Sequence, residues 1–156
     1  NRLREIYFNN NKFEIIKSFY FSNLTQLVAI FLAFNQISSI NPKSFSNLIN
    51  LNSLDLSHNC LFRLDKKIFE NTHNLKYLNL SHNLFKTIDV SYLNKLTDLN
   101  LANNLIDYFS LSNESTISKL NLEDNYFLRS LYINKLKLLS LNLNNNNNLN
   151  IEKSIF

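Results

Sequence analysis

A single spaced pattern, LxxLxLxxN with leucine or another apolar residue at each L, recurs seven times along this chain. The first copy runs from Leu3 to Asn11 and the seventh from Leu138 to Asn146. Each of the first three copies starts 24 residues before the next one, and each of the following three starts 21 residues before the next one. Such regular recurrence predicts a solenoid, in which every repeat forms one coil that stacks on its neighbours.

The centre of each copy predicts a short β-strand. Its LxL residues alternate between apolar and polar, which is typical of a strand with one buried face, and the coiling brings these strands together in one parallel sheet. A single copy cannot bury its own leucines, so the stability is expected to come from contacts between neighbouring coils. A bulky polar residue in place of Leu54 or Leu78 should therefore damage two interfaces at once.

An asparagine closes each copy, at the point where the chain must turn inward. Backbone groups that are buried at such a turn need hydrogen-bond partners, and a side-chain amide offers both donors and an acceptor. The sequence therefore predicts a structural ladder of stacked asparagines, formed by Asn11, Asn35, Asn59, Asn83, Asn104, Asn125 and Asn146. Because the chain contains no glycine, asparagine is also expected at turns that require a positive φ angle.

The segments that lead from one copy to the next carry a second pattern. Ile16, Phe21 and Leu24 follow the first copy, and the same five-residue and three-residue intervals recur after the second and third copies. These return segments resemble those of extracellular leucine-rich repeat proteins of the 24-residue subtype. The mixture of longer and shorter copies, as in LNLSHNLFKTIDVSYLNKLTDLNLANNLIDYFSL, is similar to secreted insect immune leucine-rich repeat proteins and to Toll-like receptor ectodomains.

This resemblance implies both a fold and a function. The fold is an α/β-type repeat solenoid, a right-handed coil with a parallel β-sheet on its concave side and mostly irregular or short 3-10 helical return segments. The function is innate-immune recognition of a protein partner outside the cell, in some members through a dimer of the parent protein. No functional residue is carried over, because the shared positions are scaffold leucines and asparagines.

The length and the ends of the chain bear on its domain organisation. The chain has 156 residues, enough for one domain, and neither its start at Asn1 nor its end at Phe156 carries a cysteine-rich cap. We expect residues 1–156 to form a single uncapped solenoid segment of about seven repeats from a longer ectodomain. A last return segment is expected between Ile151 and Phe156. Cys60, the one cysteine, is expected to be a semi-buried apolar filler.

The residues between the scaffold positions should face the concave side, where solenoids bind their partners. In the second copy these residues are apolar whereas those of its neighbours are polar, and Tyr7 is expected beside Phe31 on the sheet. Exposed apolar surface with a polar rim is typical of interaction sites. The alternative is that Phe34 folds over the sheet edge and a flanking segment covers the rest. The predicted partner-binding residues are Tyr7, Val28, Phe31, Phe34, Asp55 and Tyr77.

Several other function classes are less compatible with the sequence. The concave carboxylates would lie on an open sheet instead of in a pocket, so an enzyme is not expected. A chain without glycine has no glycine-rich phosphate loop, and no cofactor is expected. His58 and His82 occupy equivalent positions of a repeated motif, which favours stacked scaffold residues over a metal site. An intracellular adaptor, or a structural spacer within a larger ectodomain, stays open as an alternative to extracellular recognition.

The net charge of +4 and the isoelectric point near 9.2 invite a nucleic-acid hypothesis. Arg4, Lys76 and Lys119 are interspersed with acidic residues on the expected concave face, however, so they form no continuous phosphate-binding stripe. The sequence also lacks an apolar run of about 18 residues, the length that a membrane span requires. We therefore expect protein partners, and no contact of this segment with nucleic acid or membrane.

Three sequons fit the pattern for N-glycosylation, at Asn23, Asn79 and Asn113. In a chain so rich in asparagine, several such matches arise by chance, so the sequons permit glycosylation without indicating it. The position of Asn79 is expected to face the concave side, where a glycan would block the middle of the sheet. Asn23 and Asn113 are expected on return segments that tolerate a glycan.

Overall fold

The computed structural model describes residues 2–133 and 138–150, which form a solenoid of parallel strands. The predicted return segment between Ile151 and Phe156 lies outside the described residues. The strands are β1 (Glu5–Tyr7), β2 (Ile15–Ile16), β3 (Ala29–Phe31), β4 (Ser39–Ile40), β5 (Ser53–Asp55), β6 (Tyr77–Asn79), β7 (Asp98–Asn100), β8 (Tyr108–Leu111), β9 (Lys119–Asn121), β10 (Ser130–Ile133) and β11 (Ser140–Asn142).

Seven of these strands form the main sheet, in the order β1-β3-β5-β6-β7-β9-β11. Every neighbouring pair is parallel. The register joins equivalent positions of the repeats, so that Ile30 pairs with Leu54 and Leu54 pairs with Leu78. Each central strand therefore has one coil on either side, as the sequence pattern predicted, and the parallel-strand solenoid is confirmed.

The core is a continuous apolar column between the main sheet and the return segments. Ile30, Leu54 and Leu78, at the centres of their strands, are at most 2% exposed, because a neighbouring coil covers each of them on both sides. In the first coil the equivalent Ile6 is 7% exposed, and Leu141 in the last described strand is only partly buried. This gradient agrees with the expectation that each coil is buried by its neighbours.

The return segments are mostly turns and irregular chain, as expected, but two pairs of them form additional sheets. β2 pairs with β4, and β8 pairs with β10, both in parallel. In β8 the residues Phe109 and Leu111 are buried while their neighbours are exposed, an alternation with period two that permits a strand. A 3-10 helix at Lys66–Phe69 begins after Asp65, whose side chain accepts a hydrogen bond from the backbone of Lys67.

The ladder asparagines join each coil to the preceding one. The amide nitrogen of Asn59 lies within 3.1 Å of three carbonyl oxygens, one of which belongs to Leu32 in the preceding coil. Its Oδ1 atom accepts the backbone N–H of Ile37, also in that coil, at 2.9 Å. The amide nitrogens of the other inner ladder asparagines reach back in the same way, in Asn35, Asn83, Asn104, Asn125 and Asn146.

Asn11 is exposed and donates to the carbonyl oxygens of Phe8 and Asn9, the same two own-coil bonds that Asn35 makes to Leu32 and Ala33. One sequence-based expectation about a single residue is wrong. Cys60, expected to be semi-buried, is exposed and unpaired. It lies between the buried residues Asn59 and Leu61, so its own side chain faces away from the core.

The residue before each ladder asparagine has a positive φ angle, between 51° and 60°. We call these residues the turn row: Asn10, Phe34, His58, His82, Asn103, Asp124 and Asn145. The expectation that asparagine takes such turns holds for only part of the row, because Phe34, His58 and His82 adopt the same conformation. A bulky residue at positive φ is costly, and the three rings offset this cost by stacking on one another.

Candidate functional site

The concave side of the main sheet carries an open trough of about 460 Å³ that extends from Phe31 on β3 to Asn142 on β11. The last residue of each strand of the main sheet belongs to one row, which we call the concave row: Tyr7, Phe31, Asp55, Asn79, Asn100, Asn121 and Asn142. All of its members except Tyr7 line the trough. The strand register brings each member beside the next one. The row starts with two aromatic residues and continues with short polar ones.

Tyr7 and Phe31 form the aromatic pair of the concave row. Their rings are nearly parallel, with an interplanar angle of 7° and centroids 4.7 Å apart. Tyr7 is 65% exposed and Phe31 is half-buried, and the predicted proximity of the two rings is confirmed. The Tyr7 hydroxyl donates a hydrogen bond to the Glu5 carboxylate at 2.5 Å, and this bond, followed by burial and by the negative charge of Glu5, raises the pKa of Tyr7.

Phe34 belongs to a different stack. Its ring centroid lies 3.9 Å from the ring centroid of His58, and the centroid of His58 lies 3.8 Å from that of His82. Phe34 is 52% exposed but does not line the trough that Phe31 lines. The predicted continuous patch is therefore divided into two aromatic stacks, because the chain turns through positive φ between Phe31 and the ladder asparagine.

The remaining apolar residues of the second copy contribute less to the trough than expected. Ala29 and Ala33 are only 6% and 5% exposed, since neighbouring coils cover such short side chains. Val28 is half-buried and lies in a separate depression with Arg4 and Lys76. The aromatic surface of the trough thus depends on Phe31 and Tyr77, and Tyr7 extends it beyond the end at Phe31.

Tyr77 lies at the start of β6 and lines the trough. Its side chain is 46% exposed. The register places it between Ser53 on β5 and Asp98 on β7. The structure therefore brings Tyr77 to the same trough as Phe31 and Asp55, whereas it separates Val28 and Phe34 from them.

The polar members of the concave row have a structural task that sequence reasoning missed. The Oδ1 atom of Asp55 accepts hydrogen bonds from the backbone N–H and the hydroxyl of Ser57, at 2.9 and 2.7 Å. Asn79 makes the same pair of bonds to Ser81. Side-chain oxygens also accept the backbone N–H two residues later at Asn100, Asn121 and Asn142. Such Asx turns hold the end of each strand, and the recurrence of Asp or Asn at this position was the available signal.

The charges of the trough are unevenly neutralised. The Lys119 ammonium lies 3.0 Å from Asp98 Oδ1, and Thr97 donates a hydrogen bond to Asp98 Oδ2 at 2.7 Å. Both hydrogen bonds that Asp55 accepts within the described chain fall on Oδ1, so its Oδ2 atom keeps its acceptor capacity. Asp55 therefore presents an unpaired negative charge beside the aromatic pair.

The His58 side chain is influenced by its stacked neighbour. Burial, and then the charge of His82, lower the pKa of His58, while Asp55 acts in the opposite direction. In residues 2–133 and 138–150, no group of three or more His, Cys, Asp or Glu side chains could hold a metal ion. Over the same residues, no helix has the length and hydropathy needed to cross a bilayer.

The three sequons lie in different environments. Asn23 and Asn113 are exposed on return segments. Asn79 is half-buried in the concave row, and its amide oxygen accepts two hydrogen bonds from Ser81 of the same sequon. A glycan on Asn79 would therefore project into the trough, whereas glycans on the other two would not.

Comparisons with known proteins agree with this architecture. The family model of the leucine rich repeat matches residues 1–61 and 49–106, while no curated protein matches the chain by sequence. Similar solved structures include the leucine-rich repeat domain of APL1B (24% identity, TM-score 0.80, 90% of this chain and 42% of that chain). Others are the Toll–Spatzle complex of Drosophila (23%, 0.71, 85% and 21%) and the TLR13–ssRNA13 complex (22%, 0.68, 97% and 27%).

These likenesses concern the fold, and the chain spans less than half of the length of each of these solved chains. The family match has a broader basis, because it covers more than half of this chain and coincides with the first coils of the solenoid. The chain belongs to the leucine-rich repeat family.

Proposed function

We propose that this chain is a non-enzymatic recognition module of an extracellular, innate-immune leucine-rich repeat protein, and that it binds a protein partner on its concave side. The observation that carries the proposal is the aromatic pair at one end of a polar trough, in which the exposed Tyr7 stacks on the half-buried Phe31. Exposed aromatic side chains with a polar surround are typical of protein interfaces and of their energetic centres.

The energetics of the trough favour binding over catalysis. Tyr7, Phe31 and Tyr77 offer rigid surface that loses little conformational entropy when a partner covers it. Asp98 is paired with Lys119, and the concave asparagines hold the strand ends. These polar groups are already committed, which suits a preformed surface that changes little on binding.

A protein partner fits the trough better than a nucleic acid. Its lining carries Asp55 and Asp98 against the single cation Lys119, although the whole chain has a net charge of +4. Phosphate groups would meet a net negative surface there, and binding of nucleic acid depends on phosphate neutralisation. Among the similar structures, one contains a protein complex, Toll–Spatzle, and another contains an RNA, ssRNA13. The first supports the proposal and the second defines the rival to be tested.

Substitution of Phe31 by asparagine tests the proposal. Asparagine occupies this position in the coils of β6, β7, β9 and β11 and caps the strand end there, so Phe31→Asn removes the ring without introducing a foreign residue. Wild-type and Phe31→Asn chains are immobilised and exposed to extracellular fluid of the source organism, and the captured proteins are quantified by mass spectrometry. We expect proteins that are enriched on the wild type to be reduced at least about tenfold on Phe31→Asn, as for the loss of an interface hot spot.

Phe62→Asn is the matched control, because Phe62 is 53% exposed on a return segment outside the trough. It should capture the same proteins as the wild type. Equal capture by all three chains would contradict concave recognition and would favour the spacer hypothesis. Retention of a single-stranded oligonucleotide by the wild type at physiological salt would favour nucleic acid instead. A partner set made up of cytosolic proteins, captured from a cell lysate alone, would favour the intracellular adaptor.

A further inference from the structure

The aromatic stack of the concave row stops abruptly at Phe31. One face of the Phe31 ring lies against Tyr7, whose centroid is 4.7 Å away. The next member of the row is Asp55, which the register pairs directly with Phe31. Its side chain is too short to continue the stack, and Phe31 and Asp55 both line the trough. The second face of the Phe31 ring therefore borders open space above Asp55.

The carboxylate of Asp55 is held in place and keeps one oxygen available. The two hydrogen bonds from Ser57 fix the orientation of Oδ1. Oδ2 receives no further hydrogen bond from the described chain. Asp98, the other carboxylate of the trough, differs because Lys119 and Thr97 occupy both of its oxygens. The open space beside Phe31 is thus bounded by an aromatic face on one side and by a negative charge beneath it.

A planar cation can stack on the Phe31 ring and pair with the Asp55 carboxylate at the same time. The guanidinium group of arginine stacks on aromatic faces, pairs with carboxylates through directed N–H donors and is weakly hydrated, whereas the lysine ammonium is a compact and strongly hydrated charge. We propose that Phe31 and Asp55 form a subsite for an arginine side chain of the partner, with Tyr77 lining the same trough. This inference rests on the proposed function and identifies the chemistry of the partner.

A nucleobase is also planar and could stack on Phe31. It carries its phosphates with it, however, and these would approach the unpaired charge of Asp55. Arginine is therefore favoured over a nucleobase. The planar group of arginine is positively charged, whereas a nucleobase is linked to negatively charged phosphates.

The test uses three small probes and two variants of the full chain. N-acetyl-arginine methylamide is the cationic planar probe, its citrulline analogue has nearly the same shape without the charge, and its lysine analogue has the charge without the plane. Asp55→Asn removes the charge but keeps the acceptor for Ser57, as Asn79 does for Ser81 in the next coil. Phe31→Asn removes the ring. Glu70→Gln removes an exposed carboxylate on a return segment and serves as the matched control.

Binding is followed by NMR through the backbone amides of Asp55 and Ser57. In the wild type and in Glu70→Gln, we expect saturable shifts with the arginine probe and at least about tenfold weaker binding of the citrulline and lysine probes, which corresponds to about 1.4 kcal/mol. Asp55→Asn should bind the arginine and citrulline probes alike, and Phe31→Asn should bind none of them measurably. Equal binding of arginine and citrulline by the wild type, or unchanged arginine binding by Asp55→Asn, would overturn the subsite.

A single-stranded oligonucleotide is titrated in parallel. If it shifts the same amides more strongly than the arginine probe, the surface belongs to nucleic acid and the inference is overturned. If Asp55→Asn titrates as the wild type while Phe31→Asn still loses its captured proteins, the arginine subsite fails but concave recognition stands. If Phe31→Asn captures the same proteins as the wild type, concave recognition itself fails, and with it the assignment of the arginine to a partner.

Discussion

The Asn9 side chain accepts the backbone N–H of Ala33, one coil further along, at 2.8 Å. In the next coil the equivalent N–H belongs to Ser57 and is bonded within its own coil, to Asp55. Phe31 stands at the position of Asp55 and has no oxygen to offer. Asn9, in the preceding coil, supplies the acceptor that Phe31 lacks. An aromatic residue can therefore occupy this position of the concave row.

Asn9 should therefore matter for stability only while Phe31 is present. We expect Asn9→Ala to lower the free energy of unfolding by about 1–3 kcal/mol, because the partly buried N–H of Ala33 loses its partner. In a Phe31→Asn background residue 31 supplies its own acceptor, and the same change should cost well under about 1 kcal/mol. Urea denaturation of the four chains measures the coupling. Equal costs in both backgrounds would show that the two acceptors do not substitute for each other.

The ladder makes a second prediction about stability. Asn59→Ala leaves the buried N–H of Ile37, in the preceding coil, without a partner. It also removes one hydrogen bond each from the carbonyls of Leu32, Leu56 and Ser57, which keep other donors. We expect it to lower the free energy of unfolding by about 3 kcal/mol, since a buried unpaired group costs about 1–3 kcal/mol and each further hydrogen bond contributes about 0.5–1.5 kcal/mol. Asn11→Ala is the matched control, and its effect should stay within about 0.5 kcal/mol because Asn11 is exposed. Similar losses in urea denaturation for both variants would contradict the role of the ladder between coils.

The sequence predicts the solenoid well because the responsible signal is repeated. The apolar positions around Leu54 recur in every copy, and the spacing alone determines which residues face inward. The pattern does not predict which variable residues are free for binding. Asp55 and Asn79 look like freely available ligands in the sequence, but the Oδ1 atom of each is bound by Ser57 or Ser81 two residues later, and only Asp55 has a second side-chain oxygen. Such local bonds depend on the turn geometry, which the apolar spacing does not specify.

The separation of Phe34 from Phe31 has the same origin. Phe31 and Phe34 both belong to the apolar row that the sequence predicts. They are three residues apart, however, and Phe34 lies in a turn with a positive φ angle. A phenylalanine is rarely found in that conformation, so the apolar pattern does not predict it. The stack of Phe34 on His58 is visible only once the turn row is aligned. The β2–β4 pair was missed because two-residue strands carry almost no periodic signal.

The histidine stack predicts that the protein loses stability in mild acid. The pKa of His58 is lowered from 6.5 in the folded chain by burial and by the adjacent His82, with Asp55 opposing them. The unfolded chain therefore binds a proton at higher pH than the folded chain does. The contribution of His58 to stability is complete above pH 6.5 and is lost as the pH falls through the lowered pKa of the folded state.

His58→Phe tests this pH dependence, because Phe34 already shows that the turn row accepts a phenylalanine at positive φ. We expect the fall in the free energy of unfolding between about pH 7.5 and 5 to be smaller in His58→Phe than in the wild type. His73→Gln removes an exposed histidine of a return segment and should leave the wild-type slope unchanged. The prediction fails if His58→Phe keeps the full slope in urea denaturation at these pH values.

Glycosylation links the position of Asn79 to the proposed function. A chain made in the secretory pathway can carry glycans at Asn23, Asn79 and Asn113, and only the glycan at Asn79 would occupy the trough. We expect captured partners to bind only the fraction of chains that is unmodified at Asn79. Asn79→Asp cannot carry this glycan, so all chains of this variant should bind the partner. The strand end stays capped, because an aspartate at this position accepts the same hydrogen bonds, as Asp55 does.

Peptide mapping of the bound and unbound chains by mass spectrometry measures the occupancy of each sequon. Asn23→Gln and Asn113→Gln are the controls, and neither should change partner capture, since both residues are exposed on return segments. Partner binding by chains that are fully glycosylated at Asn79 would contradict the concave site, because a bulky, hydrated glycan in the middle of the trough leaves no room for a partner to cover Tyr77 and Asp55.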